Sequence, residues 1–349
     1  MISVDGASSA GPLVVLIASP LEPEHIERIR AVDPRIELLH DPDLLTRPRY
    51  VSDHTGAPTT RTPEQEARFL DMLGRAEVMF DFDRAHLRDL PAVAPRLRWL
   101  QATSAGIGQM VQRVGLDRSS IVLTTASGVH ARPLADFCLM AMLMFAKDYI
   151  RMEREKRAKG WERYCGEELT GKTLAIVGLG RVGQEVARHG KRMDMRVIGT
   201  RRSSMPVADV DKLFHPAELH SMLPDADFLV LAAPHTPETE GVVGEAELAL
   251  MKPTAVLINI GRGALVDEDA LIRALYEERL AGAALDVFRA EPPPADSPLW
   301  EMPNVIISPH SASTVTQENA RITELFCRNL QRYLSGQPLQ NVLDTKKLY

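Results

Sequence analysis

Cysteine is scarce in this chain. Cys138, Cys165 and Cys327 are three thiols in 349 residues, and their spacing matches neither a CxxC pair nor a metal-ligand pattern. That argues against a disulfide framework and a metal centre, and points to a reducing, cytoplasmic compartment. A basic excess is also lacking, since the formal net charge is −6. The expected partners therefore include neither nucleic acid nor an anionic membrane. Long apolar runs are missing too. The longest, Pro133 to Ala146, is interrupted by Asp136 and too short to span a bilayer, so it reads as a buried helix whose methionines fill a core. The first residues, MISVDGASSAGP, carry neither the basic start nor the apolar stretch of a secretory signal, and residues 1–11 read as a disordered leader. No repeat of solenoid period appears.

Apolar residues make up 45% and charged residues 25%, the balance of a soluble globular chain long enough for two cores. Short apolar runs alternate with helical spacing in two series. The first holds LVVLIAS, IELLH, EVMF, LRWLQAT and IVLTTA, with helices over LEPEHIERIRAV and EQEARFLDMLGRA. Residues Asp41 to about Pro63 read as an irregular excursion. The second series runs TLAIVGLG, MRVIGT, DFLVLAA, AVLINIG, GAALDVF and NVIISPH, with helices from Val182 to about Met193 and over DEDALIRALYEE. Strands alternating with helices predict an α/β chain with two open parallel-sheet domains. The linking helices are expected near 133–150 and from Thr314 to about Leu334. RMEREKRAK reads as a solvated helix face, and Trp161 and Tyr164 as packing residues, with contact to a partner subunit the alternative.

Gly178, Gly180 and Gly183 stand in GxGxxG spacing between an apolar strand and a helical pattern. That context is what a dinucleotide site needs: a tight turn at Gly178, close approach of a pyrophosphate at Gly180, close helix packing at Gly183, and phosphates on the helix N-terminus. Further on, Arg262 follows a strand in a glycine-flanked turn. Asp286 ends the next strand, Glu291 precedes three prolines, and His310 follows the last strand and a proline. Each alone reads plausibly as a surface or structural residue. Together they offer a fixed cation, a proton donor and a carboxylate that tunes the donor, all at the strand ends where open α/β sheets place their ligand crevice.

With VGLGRVG, LAAPHTPETEGVVG, NIGRGALVDEDAL, AGAALDVFRAEPPP and SPHSAS in place, the chain over about residues 75–335 resembles the D-isomer-specific 2-hydroxyacid dehydrogenases. The resemblance implies a Rossmann cofactor domain (126–314) inserted into a discontinuous flavodoxin-like substrate domain (12–125 and 315–349). It implies reduction of a small 2-oxo acid of glyoxylate or hydroxypyruvate type to the D-2-hydroxy acid, and a homodimer. His310 would be the proton donor, Glu291 would tune it, and Arg262 would bind the substrate carboxylate and carbonyl. The turn Ser104-Ala105-Gly106 matches the family's carboxylate-binding loop. Cofactor contacts are expected at Gly178, Gly180, Arg181, Val182, Gly183, Thr200, Arg201, Arg202, Ser203, Ala233, Pro234, Thr239, Ile260, Gly261, Asp286 and Ser313. Two departures stand out nearby: Asp136 replaces a more usual glutamate, and Arg132 adds a charge. Alternatives are a biosynthetic dehydrogenase of a phosphorylated 2-hydroxy acid and a cofactor-sensing, corepressor-like interaction protein.

About 20 residues after the first glycine a ribose-binding acid is expected. The chain there reads IGTRRSS, with Arg201 in the acid's place. Two guanidinium groups and the Ser203 hydroxyl suit a 2′-phosphate, so NADP(H) is the expected cofactor, with NAD(H) the alternative.

Overall fold

The computed structural model describes residues 11–57 and 60–348. Apart from Gly11, the leader expected at 1–11 lies outside the described residues. The chain divides into two compact units, residues 1–129 with 314–349, and residues 130–313. The corresponding boundaries expected from sequence were 125/126 and 314/315.

In the first unit the chain runs β1 (Leu13–Ile17), α1 (Pro23–Arg30), β2 (Ile36–Leu39), α2 (Pro63–Arg75), β3 (Val78–Phe80), α3 (Leu90–Val93), β4 (Trp99–Gln101), α4 (Gly108–Val114) and β5 (Val122–Thr124), and ends with a C-terminal helix, Glu318–Leu334. The sheet order is β2-β1-β3-β4-β5, with every pair parallel. LVVLI in β1 is buried at every position, as a strand covered on both faces requires. The C-terminal helix covers one face. Its Phe326 meets Phe80 edge-on at 5.1 Å, and Tyr333 stacks on Trp99 at 5.6 Å. The excursion after β2 contains one 3-10 turn, Pro42–Leu44, and is pinned by Arg61, which lies over the Phe69 ring and donates to Asp83 at 2.8 Å. Thr62 then starts α2 with a capping box to Gln65 and a proline in the first turn.

The second unit runs α5 (Ala131–Ala146), α6 (Tyr149–Ala158), β6 (Thr173–Val177), α7 (Arg181–Arg192), β7 (Arg196–Thr200), β8 (Lys212–Phe214), α8 (Leu219–Met222), β9 (Phe228–Leu231), α9 (Glu245–Leu250), β10 (Val256–Asn259), α10 (Glu268–Tyr276), β11 (Gly282–Leu285) and β12 (Val305–Ile307). All seven strands are parallel, in the order β12-β11-β10-β9-β6-β7-β8. The chain order reverses between β6 and β9, which makes that junction the switch point where such sheets open a crevice.

Three features differ from the sequence expectation. β8 is an edge strand of only three residues with a single buried side chain, too short for periodicity to reveal. The C-terminal helix starts at Glu318 instead of Thr314. Trp161 is 98% exposed among the described residues, whereas Tyr164 packs within the chain: its hydroxyl donates to the Lys147 carbonyl at 2.8 Å and Arg151 lies over its ring. The Met-rich run forms α5 as expected, packed against α7, where His189 Nε2 meets Asp136 at 2.9 Å. Arg132 is exposed on the first turn of α5. Among the described residues, no helix is long and apolar enough to cross a membrane.

Candidate active site

Because every strand of the second unit is parallel, the loops after β6, β7, β9, β10, β11 and β12 all leave from one edge of the sheet. The expected cofactor and catalytic residues of this unit lie on those loops or just before them, except Arg181, Val182 and Gly183, which form the first turn of α7.

The first loop tests whether the chain can hold a dinucleotide. Gly178 has φ +98°, a value that favours glycine, and a Cβ there would fall 2.7 Å from the Ala233 backbone. Gly183 lies so close to the β6 end that a Cβ would strike the Gly178 carbonyl. Gly180, by contrast, has open space where a Cβ would project, and it begins α7 with no side-chain cap. Gly183 therefore draws the helix onto the strand end and Gly178 admits the neighbouring β9 loop, while Gly180 has open space beside a helix end with no side-chain cap. Those are the requirements for a bound pyrophosphate. Thr200 is buried and its hydroxyl accepts from the Gly178 amide at 3.2 Å, so it holds the turn from behind.

Past Thr200 the Arg201 amide donates to the Phe214 carbonyl at 3.0 Å, which carries the chain along β8 before it turns outward. Arg202 is more than half exposed and faces Glu238 at 3.6 Å. Ser203 accepts from the Met205 amide. In the β9 loop, Ala233 is buried against Gly178, Pro234 is exposed, and Thr239 donates to the Pro234 carbonyl at 2.7 Å. Ile260 and Gly261 follow β10 and are buried, and Ser313 closes the β12 loop half-buried.

Arg262 lies in the turn after β10. The buried side chain of Asn259 braces that turn, donating to the Arg262 carbonyl at 2.9 Å and accepting from the Gly261 amide at 3.1 Å. Gly263 packs against the next loop so closely that a Cβ would overlap the Phe288 carbonyl. Arg262 and the Glu291 loop are thereby brought side by side. Burial pulls the Arg262 guanidinium below its ordinary range, while the charges of Glu291 and Asp286 oppose the shift. Arginine remains cationic regardless.

His310 Nδ1 and Glu291 Oε2 are 2.7 Å apart, and Glu291 Oε1 accepts from the Phe288 amide at 3.2 Å. The Glu291 hydrogen bond raises the His310 pKa above its ordinary value, outweighing burial and the Arg262 charge, with added help from Asp286. Burial pushes Glu291 up, but the bond and charge of His310 hold its carboxyl below the usual range. The two shifts agree on a charged pair. With Nδ1 tied to Glu291, Nε2 is the ring nitrogen left for a reacting group.

Asp286 is 1% exposed and points into the β12 loop. Its Oδ1 accepts from Ser308 Oγ at 2.6 Å, the Ser311 amide at 2.8 Å and the Ala312 amide at 2.9 Å. Its carbonyl also accepts from the His310 amide at 2.9 Å. His310 has φ +53°, an uncommon backbone for a side chain of that size, and these bonds hold it there. Asp286 thus positions the loop that carries His310. Asn259 and Ser308 were not singled out from sequence. A buried-type strand ending in Asn is a usable signal for the first; Ser308 carries none. The turn Ser104-Ala105-Gly106 belongs to the first unit, where it follows β4 exposed and the Ser104 carbonyl accepts from the Ala126 amide at 3.1 Å.

Residues 139–312 match the family model described as D-isomer specific 2-hydroxyacid dehydrogenase, NAD binding domain. The chain is 38% identical over 253 residues to a glyoxylate reductase of Thermococcus gammatolerans, covering 70% of this chain and 75% of that protein. Among solved structures, a D-isomer specific 2-hydroxyacid dehydrogenase family protein of Aeromonas salmonicida superposes with a TM-score of 0.80 at 28% identity, over 96% of this chain and 100% of that one. An NADPH-dependent glyoxylate/hydroxypyruvate reductase of Sinorhizobium meliloti, in complex with NADP and sulfate, gives 0.78 at 26% identity over 97% and 100%.

The His310–Glu291 pair yields a pH prediction. A histidine whose folded pKa is raised keeps its proton to higher pH, and the pair's contribution to stability is lost as pH rises through that value. Glu291→Gln removes the acceptor's charge, so the ring should titrate at lower pH than in the wild type. NMR titration of the His310 ring measures this, and an unchanged midpoint would show that Glu291 does not sustain the cation.

Proposed function

The chain belongs to the D-isomer-specific 2-hydroxyacid dehydrogenase family, and from that premise we propose that it reduces a small 2-oxo acid of the glyoxylate or hydroxypyruvate type to the D-2-hydroxy acid. The family makes it an oxidoreductase that uses a nicotinamide dinucleotide. The observation that carries the reading of the site is the short His310–Glu291 contact on the loop next to Arg262.

The groups that would hold the cofactor are the Gly178–Gly183 turn, the start of α7 and the loops after β7 and β9. When bound, the dinucleotide supplies the hydride that reduces the carbonyl carbon. The chain's own residues supply the rest. Arg262 presents a rigid fork of donors to the substrate carboxylate and polarises the carbonyl. His310, cationic through Glu291, gives the Nε2 proton to the carbonyl oxygen and recovers it in the oxidative direction. Glu291 fixes the ring and its tautomer, and Asp286 fixes the loop. The exposed turn Ser104-Ala105-Gly106 is the substrate-carboxylate loop that the family resemblance implies. A histidine acid of this kind is worth about 10²–10⁴-fold in rate. His310→Ala should lose activity on that scale while calorimetric cofactor binding persists. The proposal is tested by assaying a panel of 2-oxo acids, including phosphorylated ones, with both cofactors. No turnover on any acid would overturn it.

For the cofactor we read Arg201, Arg202 and Ser203 as a 2′-phosphate site, which favours NADPH over NADH. Arg201→Asp should lower the ratio of kcat/KM for NADPH over that for NADH by about ten-fold or more, the scale of one charge-assisted hydrogen bond. A wild-type preference for NADH would refute the assignment.

The proposed homodimer uses α5. Leu139, Met140, Leu143 and Met144 line an apolar groove of about 480 Å³, bounded by Asp136 near one end of the helix and Lys147 at the other. An antiparallel pairing of two copies would set each lysine against the partner's acid, while burying Met140 and Met152, which are now exposed. Met140→Glu should convert a dimer to a monomer in sedimentation velocity. A wild-type chain that sediments as a monomer at tens of micromolar would remove this proposal.

A further inference from the structure

The 2′-phosphate reading leaves one group unexplained. Glu238, on the loop after β9, places its Oε2 3.6 Å from the Arg202 guanidinium. The same oxygen accepts a 2.7 Å hydrogen bond from the Thr236 hydroxyl. Thr236 is buried, and its turn is stapled: its amide donates to Thr239 Oγ1 at 2.8 Å, and that hydroxyl donates to the Pro234 carbonyl. The carboxylate is therefore aimed by a fixed turn and does not wander on a free stem. The Thr236 hydroxyl, then its own backbone amide, hold it below the usual carboxylate range, with Arg202 adding to the effect, so it is anionic at neutral pH.

We propose that Glu238 is a cofactor-discriminating residue: its carboxylate competes with a dinucleotide 2′-phosphate for Arg202 and so restrains the preference for the phosphorylated cofactor. This rests on the reading of Arg201 and Arg202 as phosphate ligands. A phosphomonoester carries nearly two negative charges at neutral pH. To pair with Arg202 it must either displace Glu238 or share the guanidinium with it, a few ångströms from a like charge. A 2′-hydroxyl meets no such repulsion. Chains of this family with an acid at the end of the second strand would repel the phosphate from that position; here the strand end is cationic and the acid comes from the neighbouring loop. Both partners are more than half exposed. Screening then limits the effect to a few-fold, and added salt should shrink it.

The test measures binding directly, by titration calorimetry of the whole protein with adenosine 2′,5′-bisphosphate and with 5′-AMP as probes. Glu238→Gln retains an oxygen for Thr236 and removes the charge. It should tighten the bisphosphate by about two- to five-fold relative to 5′-AMP, and less so at 0.5 M salt. In an Arg202→Leu background the same substitution should do nothing, because its effect runs through Arg202. An unchanged or weaker preference for the bisphosphate in Glu238→Gln overturns the proposal, and so does an equal gain without Arg202. If Arg201→Leu and Arg202→Leu both leave the bisphosphate preference intact, the phosphate-site reading itself falls, and this inference with it. If they reduce it while Glu238→Gln changes nothing, only the role of Glu238 is lost.

Discussion

The chemistry of the second unit depends on one constraint, that all seven of its strands run the same way. A parallel strand must return by a crossover, so every loop that follows a strand emerges at the same edge. Residues far apart in sequence, such as Gly178, Arg201, Arg262 and His310, are collected there without any one of them specifying the others. Strands such as TLAIV and VLIN are buried at every position and hold the edge rigid. The loops can then carry groups that would be costly in a core.

Rigid strands alone do not fix a loop, and the structure shows what does. Asp286 gathers three donors on a single oxygen, from Ser308, Ser311 and Ala312. Buried and charge-assisted, those bonds stabilise more than exposed ones would, and they offset the left-handed backbone at His310. Asn259 does the same for the Arg262 turn, and Gly263 lets the two loops touch. The proposed trio of Arg262, Glu291 and His310 is thus supported by a second set of groups, Asn259, Gly263, Asp286 and Ser308. The His310–Glu291 pair remains half-exposed, which suits the proton-donor role proposed for it.

Much of this was legible in the sequence, for definite reasons. Buried strands alternating with helices, a glycine triplet between strand and helix, and ionisable residues just past strand ends are local signals that survive without coordinates. The fold class, both sheets and the trio's place on the loops followed from them. β8 escaped because three residues with one buried side chain have no period to read. Packing of Trp161 within its own chain was expected because aromatic character suggests burial, whereas its side chain is exposed among the described residues. The loop bonds of Asp286 were not legible either, because the amides that claim its oxygen lie 25 and 26 residues downstream, beyond any local pattern.

Cofactor choice illustrates the same limit more sharply. IGTRRSS states the local charge at the end of β7, and by itself that charge is simply positive. The field a ligand meets also includes Glu238, 36 residues further on in sequence but 3.6 Å from Arg202 in space, held by a hydroxyl on a stapled turn. A screened carboxylate at that range cannot reverse the sign set by two guanidinium groups, but it can lower their net pull. Specificity is a difference between two affinities, and a nearby like charge acts on only one of them. On the proposed 2′-phosphate reading, the two arginines set the direction of the preference, and the acid on the neighbouring loop sets how far it goes.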